Sequence, residues 1–248
     1  MAVWPCMPKR FVVAASEFSE LPRSAAGFEL ADALTVAAQQ LHDTVSTHST
    51  LRTAVRLAVH LLPGAEHAGI SVIERKAHRE TLAWTDEVVR SADALNAGRE
   101  HGHYWNRLWT APVARIEDSS AVEGDGDLAL SGLGLRSVLS LRLRADRRRL
   151  TVLTAYAGKP RAFDDQATRI GRLLTAHVGI ALDTATMREQ LTEAMRTRDL
   201  IGQATGILME RLGIDASEAF DSLVRTSQRE NVKLRDLARR IVDASEGE

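Results

Sequence analysis

Between Asp164 and Leu212 there is no proline, and the only glycines are Gly171, Gly179, Gly202 and Gly206. A stretch of that length without breakers reads as one long helix. Met187, Leu191, Ala194, Arg198, Ile201, Thr205, Leu208 and Leu212 follow at alternating steps of four and three, the spacing of a heptad seam, although Arg198 and Thr205 weaken it. Met187, Leu191, Ala194, Ile201 and Leu208 are the residues expected to carry it. Such a seam pairs with a copy of the same helix, giving a coiled-coil homodimer; burial against the chain's own domain is the alternative.

What lies on either side of this helix differs in kind. Upstream, residues 1–27 hold Pro5, Pro8, Pro22 and Gly27 without sustained periodicity and read as a loose arm bearing the chain's one cysteine, Cys6, an inert thiol on this reading. Leu30, Leu34, Ala37, Ala38 and Leu41 then recur at helical spacing, and after a polar break (42–50) Leu51, Ala54, Val55, Ala58, Leu61 and Leu62 repeat it until Pro63-Gly64. Short strand-like runs follow at Ala68–Ile73, Leu82–Trp84 and Pro112–Ile116. Leu139, Leu141 and Leu143 alternate with Ser140, Arg142 and Arg144, and the turn 145–149 leads into Leu150–Tyr156, which predicts an antiparallel hairpin with one polar face. Helices flanking strands define an α+β domain, taken here as 28–186. Downstream, Gly213 suits a left-handed helix end, Asp215-Ala-Ser-Glu218 has the pattern of a capping box, and Ala219, Phe220, Leu223 and Val224 face inward. Asn231 can cap a third helix with Leu234, Leu237, Ala238 and Ile241 on its apolar side. Residues 187–248 thus form a three-helix bundle too small to stand without the long helix.

The chemistry-bearing motifs are few. The chain has no GxxxxGK[ST], GxSxG, HExxH or glycine-rich dinucleotide fingerprint, so no enzyme is expected. One cysteine excludes an internal disulfide and a CxxC zinc site. His101 and His103 lack further ligands, so no metal or cofactor is expected and the segment reads as a loop lining a polar pocket, to which Trp84, Tyr104, Trp105 and Trp109 can add apolar walls. No apolar run is long enough for a membrane span and the start is too short in apolar residues for a secretory signal, so a cytoplasmic protein is expected.

Charge is more telling. Lys+Arg 32 against Asp+Glu 33 gives a net of −1 over 248 residues, which supplies no global field for nucleic acid. The average hides a local excess: Arg225, Arg229, Lys233, Arg235, Arg239 and Arg240 face only Glu230 and Asp236 within 225–240. Four of these lie off the apolar stripe of the last helix, beside Ser227, Gln228 and Asn231, and read as a phosphate-contacting surface; a merely solvated helix face is the alternative. Phe220 is the module's one aromatic, so stacking of single-stranded bases on an aromatic platform is unavailable, and a hairpin loop suits the surface better.

Ile201-Gly-Gln-Ala-Thr-Gly-Ile-Leu-Met-Glu-Arg211, Ala219-Phe220, Ser227 and Asn231-Val-Lys-Leu-Arg-Asp-Leu-Ala238 resemble the ANTAR domain, a three-helix RNA-binding module of bacterial transcription antiterminators, over about 55 residues from near Arg188 to Val242. The resemblance implies a dimer that binds paired RNA hairpins in a nascent leader and keeps a terminator from forming. It implies RNA contacts at Gln203, Thr205 and Arg211 on the first helix, joining Arg225, Ser227, Arg229, Asn231, Lys233, Arg235 and Arg239. The family often has lysine where this chain has Thr205, which removes one positive charge. Leu61-Leu-Pro-Gly-Ala65, Ala68-Gly-Ile-Ser-Val72, Gly134-Leu-Arg-Ser-Val-Leu-Ser140 and Ala162-Phe-Asp-Asp165 resemble a GAF domain, a sensory α+β fold often placed before ANTAR. That implies a small-molecule signal, though a Gly-Pro-Cys common near the GAF pocket is His101-Gly-His-Tyr104 here, so a bilin attached through cysteine is unsupported. A DNA-binding regulator, with the third C-terminal helix in a major groove, is the rival reading.

Overall fold

The computed structural model describes residues 25–74, 79–96, 103–121 and 127–246. The expected N-terminal arm, Cys6 included, falls almost wholly outside them; its last residues already belong to the first helix, α1 (Ala25–His42). Helix α2 (Thr47–Leu61) starts earlier than the polar break suggested. Ser46 and Ser49 form a reciprocal capping box that offsets a serine- and threonine-rich first turn. Gly64, at φ +84, makes the turn out of it.

Five strands follow: β1 (His67–Glu74), β2 (Arg79–Trp84), β3 (Val113–Ile116), β4 (Ser137–Ala145) and β5 (Arg149–Ala157). They form one antiparallel sheet in the order β2-β1-β5-β4-β3. The β4–β5 hairpin forms where expected, its turn fixed by Asp146, whose Oδ1 accepts the amides of Arg148 and Arg149, both at 2.7 Å. These two amides hold the Asp146 carboxyl below the usual aspartate range.

The hairpin's polar face is covered. Ser140 is fully buried beside Thr154, and Arg142 donates to the carbonyls of Leu108 and Trp109 at 3.1 and 3.2 Å. The cause is helices α3 (Glu87–Asn96), α4 (His103–Thr110) and α5 (Asp127–Gly132), which cover that face and are too short for their periodicity to stand out in the sequence. Arg142 thereby satisfies the last carbonyls of α4. Both faces of the sheet are therefore dry. The larger core lies between the sheet and α1, α2 and the long helix α6 (Asp165–Leu212), while two smaller clusters lie under α3–α5.

Helix α6 runs unbroken for 48 residues, from an N-cap at Asp164 to a left-handed end at Gly213. That is about 72 Å at 1.5 Å per residue. Its first half buries Ala167, Ile170, Gly171, Leu174, Val178, Leu182 and Ala185 against the sensor-like domain. Its C-terminal third forms a second core with α7 (Ala216–Glu230) and α8 (Leu234–Glu246), made of Ala204, Leu223, Leu237 and Ala238. Between the two, residues 187–196 are exposed without exception. The architecture is α+β, as expected: an antiparallel sheet flanked by helices, one long helix, and a C-terminal bundle of three helices.

Candidate nucleic-acid interface

The C-terminal bundle is held by caps as much as by its small core. Asp215 accepts the Glu218 amide at 2.9 Å and starts α7. Asn231 plays a different part from the expected one. It sits in the left-handed region at φ 52 and ends α7, its amide reaching the carbonyls of Gln228 and Ser227. Helix α8 starts instead behind Lys233, whose carbonyl accepts from Asp236 and Leu237 at 2.9 and 3.1 Å. Asparagine's tolerance of positive φ explains the switch. Ser227 is likewise spent on the turn, its hydroxyl donating to Val232 O at 2.7 Å.

The basic residues are displayed as the sequence suggests. Arg225, Arg229, Lys233, Arg235, Arg239 and Arg240 are all exposed, as are Gln203 and Arg211 on α6. Arg235 and Arg239 stand one turn apart on α8 and share a recess with Arg196 of α6, a residue absent from the expected set. Arg235 pairs with Glu193 at 3.6 Å and Asp236 at 3.4 Å, and Arg240 with Glu230 at 2.7 Å. Thr205 is half-buried and its hydroxyl donates to Ile201 O at 2.8 Å, one turn back along its own helix. Phe220 does not face inward. It is 43% exposed and ends an apolar groove that runs along α6 past Ala194, Thr197 and Ile201.

The seam residues divide. Met187 is 70% exposed, Leu191 62%, and Ala194 is exposed beside them. Ile201 and Leu208 instead pack on the bundle's own core. A straight helix rotates a seven-residue column by about 20° per heptad. By Ile201 the column has turned from the open side onto α7 and α8. The same column continues upstream into Ile180 and Leu173, 67% and 47% exposed, which the sequence reading left out.

On the sheet's other face, the two expected pocket residues whose side chains are described, Trp84 and Trp109, lie apart. Trp84 lies on the surface under the Arg90 guanidinium, 5.0 Å from the ring centroid, beside Gly69 at one end of β1. Trp109 packs near Ile73 at the other end. His101 lies outside the described residues, as do the side chains of His103, Tyr104 and Trp105. What occupies the middle of that face was missed: Asp93 on α3, paired with Arg79 at 2.5 Å, both side chains only 4% exposed. Asp93 also accepts from Ser71, from Thr81 at 2.7 Å and from Tyr156 at 3.2 Å. The available signal was spacing, since Asp93 falls four residues after Val89, on α3's inward face. No group of three or more His, Cys, Asp or Glu among the described residues is arranged to hold a metal.

One contact ties the two halves together. Glu189 on α6 accepts the Thr47 amide at 2.7 Å and the Thr47 hydroxyl at 2.9 Å, capping the first turn of α2 with a charge that suits a helix N-terminus.

An α+β sheet domain is thus joined by a shared helix to a helical bundle whose basic residues cluster within 225–240. The chain belongs to the GAF domain family, whose model matches residues 44–183, and a model of the ANTAR domain matches residues 189–242. ANTAR domains occur in RNA-binding antiterminators and GAF domains in signal sensing. No curated protein matches the chain. Among solved structures, the bacteriophytochrome of the photosynthetic bacterium R. palustris is 12% identical over 83% of this chain and 47% of its own, with a TM-score of 0.58. The Stigmatella aurantiaca phytochrome photosensory core module is 15% identical over 81% and 45%, with a TM-score of 0.53. The GAF domain of an Acinetobacter phosphoenolpyruvate-protein phosphotransferase is 17% identical over 65% and 98%, with a TM-score of 0.48. The likeness to the two phytochromes speaks to the fold alone, and the chain spans less than half of their length. Among the described residues no helix is long and apolar enough to cross a membrane.

Proposed function

We propose that this chain is a signal-responsive, RNA-binding transcription antiterminator, not an enzyme, that acts in the cytoplasm as a homodimer. Its two C-terminal bundles grip paired RNA hairpins in a nascent leader and prevent a terminator from forming. The observation that carries the reading is the ANTAR-matching bundle itself. It packs Ala204, Leu223, Leu237 and Ala238 into a core and leaves Arg225, Arg229, Lys233, Arg235 and Arg239 in solvent. The open apolar face of α6 at Leu173, Ile180, Met187 and Leu191 supports a second copy as partner. A small molecule at the GAF domain is the signal in this reading.

RNA crosslinked to the protein in cells supplies the probe, and mobility shift supplies the test. Tight binding to the recovered leader, weak binding to a scrambled, hairpin-free RNA, and loss on Lys233→Ala with unchanged circular dichroism are expected. Equal binding to scrambled RNA, or preference for duplex DNA over RNA hairpins, would sink the reading; the second outcome selects a DNA-binding regulator. A chain that sediments as a monomer at all concentrations would remove the dimer.

A further inference from the structure

The recess between α6 and α8 holds more than the expected basic patch. Its volume is about 220 Å³, and Arg196, Arg235 and Arg239 converge on it from two helices, with Thr197 on its floor. A water takes roughly 30 Å³, so a phosphodiester group fits with part of its hydration shell. Three guanidinium forks around one cavity match phosphate oxygens better than they match solvent. The cavity also contains its own competitor. Glu193 reaches Arg235 at 3.6 Å, and Asp236 reaches it at 3.4 Å. Among the described residues no carboxylate pairs with Arg196 or Arg239. Both partners of the Glu193–Arg235 pair are about half exposed, so solvent screens it and an incoming phosphate displaces it at small cost.

We propose that the Arg196–Arg235–Arg239 recess is a backbone-phosphate site for RNA, and that Glu193 occupies its rim in the free protein and competes with the RNA. The proposal rests on the RNA-binding reading and adds a residue, Arg196, and a regulatory carboxylate to it. Glu193 follows Glu189 by one helical turn, and Glu189 is held by Thr47 at the start of α2. The turn of α6 that carries the competitor is therefore clamped to the GAF domain. A change in that clamp alters how Glu193 meets Arg235, and with it the affinity for RNA.

Phosphate contacts carry no sequence information, so a fluorescent pool of two-hairpin RNAs with randomised loops is a sufficient probe for the full chain. Arg196→Gln is expected to weaken binding about three- to fivefold, as for an exposed ion pair. It should also flatten the slope of log affinity against log salt by about 0.7–0.9. Glu193→Gln is expected to tighten binding by a similar factor. Asp221→Asn on α7 changes net charge equally but lies outside the recess, and it should leave affinity unchanged. Far-UV circular dichroism confirms that each variant keeps its helices, and Arg196→Lys should recover part of the salt slope. If the wild-type chain binds the pool while Glu193→Gln matches Asp221→Asn and Arg196→Gln keeps the full slope, this inference is overturned and the broader reading stands. If the wild-type chain binds no RNA, yet its arginine Nε–H NMR signals shift with inorganic pyrophosphate, the recess takes phosphate but the RNA assignment falls with the broader reading.

Discussion

Asp93→Asn is the substitution with the largest expected effect on the GAF domain. The carboxylate and the Arg79 guanidinium are each only 4% exposed, so neither charge can be rescued by water. Neutralising one member of such a pair costs about 3–5 kcal/mol, because the attraction within the pair is lost while the other charge stays buried. Asparagine would also turn a donor toward a site where Ser71, Thr81 and Tyr156 all donate. Against a typical domain stability of roughly 5–15 kcal/mol, this removes about a fifth or more. Strand β5 lies at the sheet's centre, between β1 and β4, so its amides report global opening. Their hydrogen exchange should accelerate by roughly two to three orders of magnitude, at about 1.4 kcal/mol per tenfold. Replacing both partners, Arg79→Met with Asp93→Leu, should restore part of the loss, since an apolar pair needs no counter-ion, while the Ser71, Thr81 and Tyr156 hydroxyls still lose their acceptor. Acceleration of less than tenfold by Asp93→Asn, or no recovery in the double variant, would refute the argument that the pair is a desolvated unit.

Two further outcomes follow from features elsewhere in the chain. Leu223 is 1% exposed in a core of four buried residues, so Leu223→Ala should cost about 2–5 kcal/mol. It should strip exchange protection from α7 and α8 while β5 stays protected; equal loss in both would mean the two cores unfold as one. Asp118 receives both guanidinium donors of Arg136 at 2.9 and 2.7 Å, and Ser120 adds side-chain and backbone donors, so its carboxyl is held well below the usual aspartate range. A depressed folded-state value stabilises the fold above the unfolded aspartate value of about 3.9, and this contribution is lost as pH falls through the folded value. The NMR titration of Asp118 should therefore lag the other carboxylates, and Arg136→Gln should move it back toward normal. The stability difference between the two proteins should vanish in strong acid.

The parts of the fold that were legible in the sequence are those whose signal is long. Helix α6, the β4–β5 hairpin and the caps at Gly213 and Asp215 each rest on several residues that agree. Helices α3–α5 are short, so nothing in the sequence signals that the polar face with Ser140 and Arg142 is covered. Asn231 shows a different failure: the same residue type caps either end of a helix, and only the backbone decides which. For the interface, exposure of the basic residues was readable from the apolar stripe. The recess was not, because Arg196 is 39 residues from Arg235 and only the packing of α8 on α6 joins them. The Arg79–Asp93 pair was hidden for the same reason.

Because one continuous helix serves both cores, the stretch 187–196 fixes an angle as well as a distance. One residue added there would turn the C-terminal bundle by about 100° about the helix axis and advance it by about 1.5 Å. Seven added residues would advance it by about 10 Å and return it to within roughly 20° of its starting phase. In the dimer proposed above, two bundles face one RNA at the same time. On that reading, length in this stretch can change by whole heptads, whereas any other increment turns each basic surface out of phase with the sheet domain that holds Glu189.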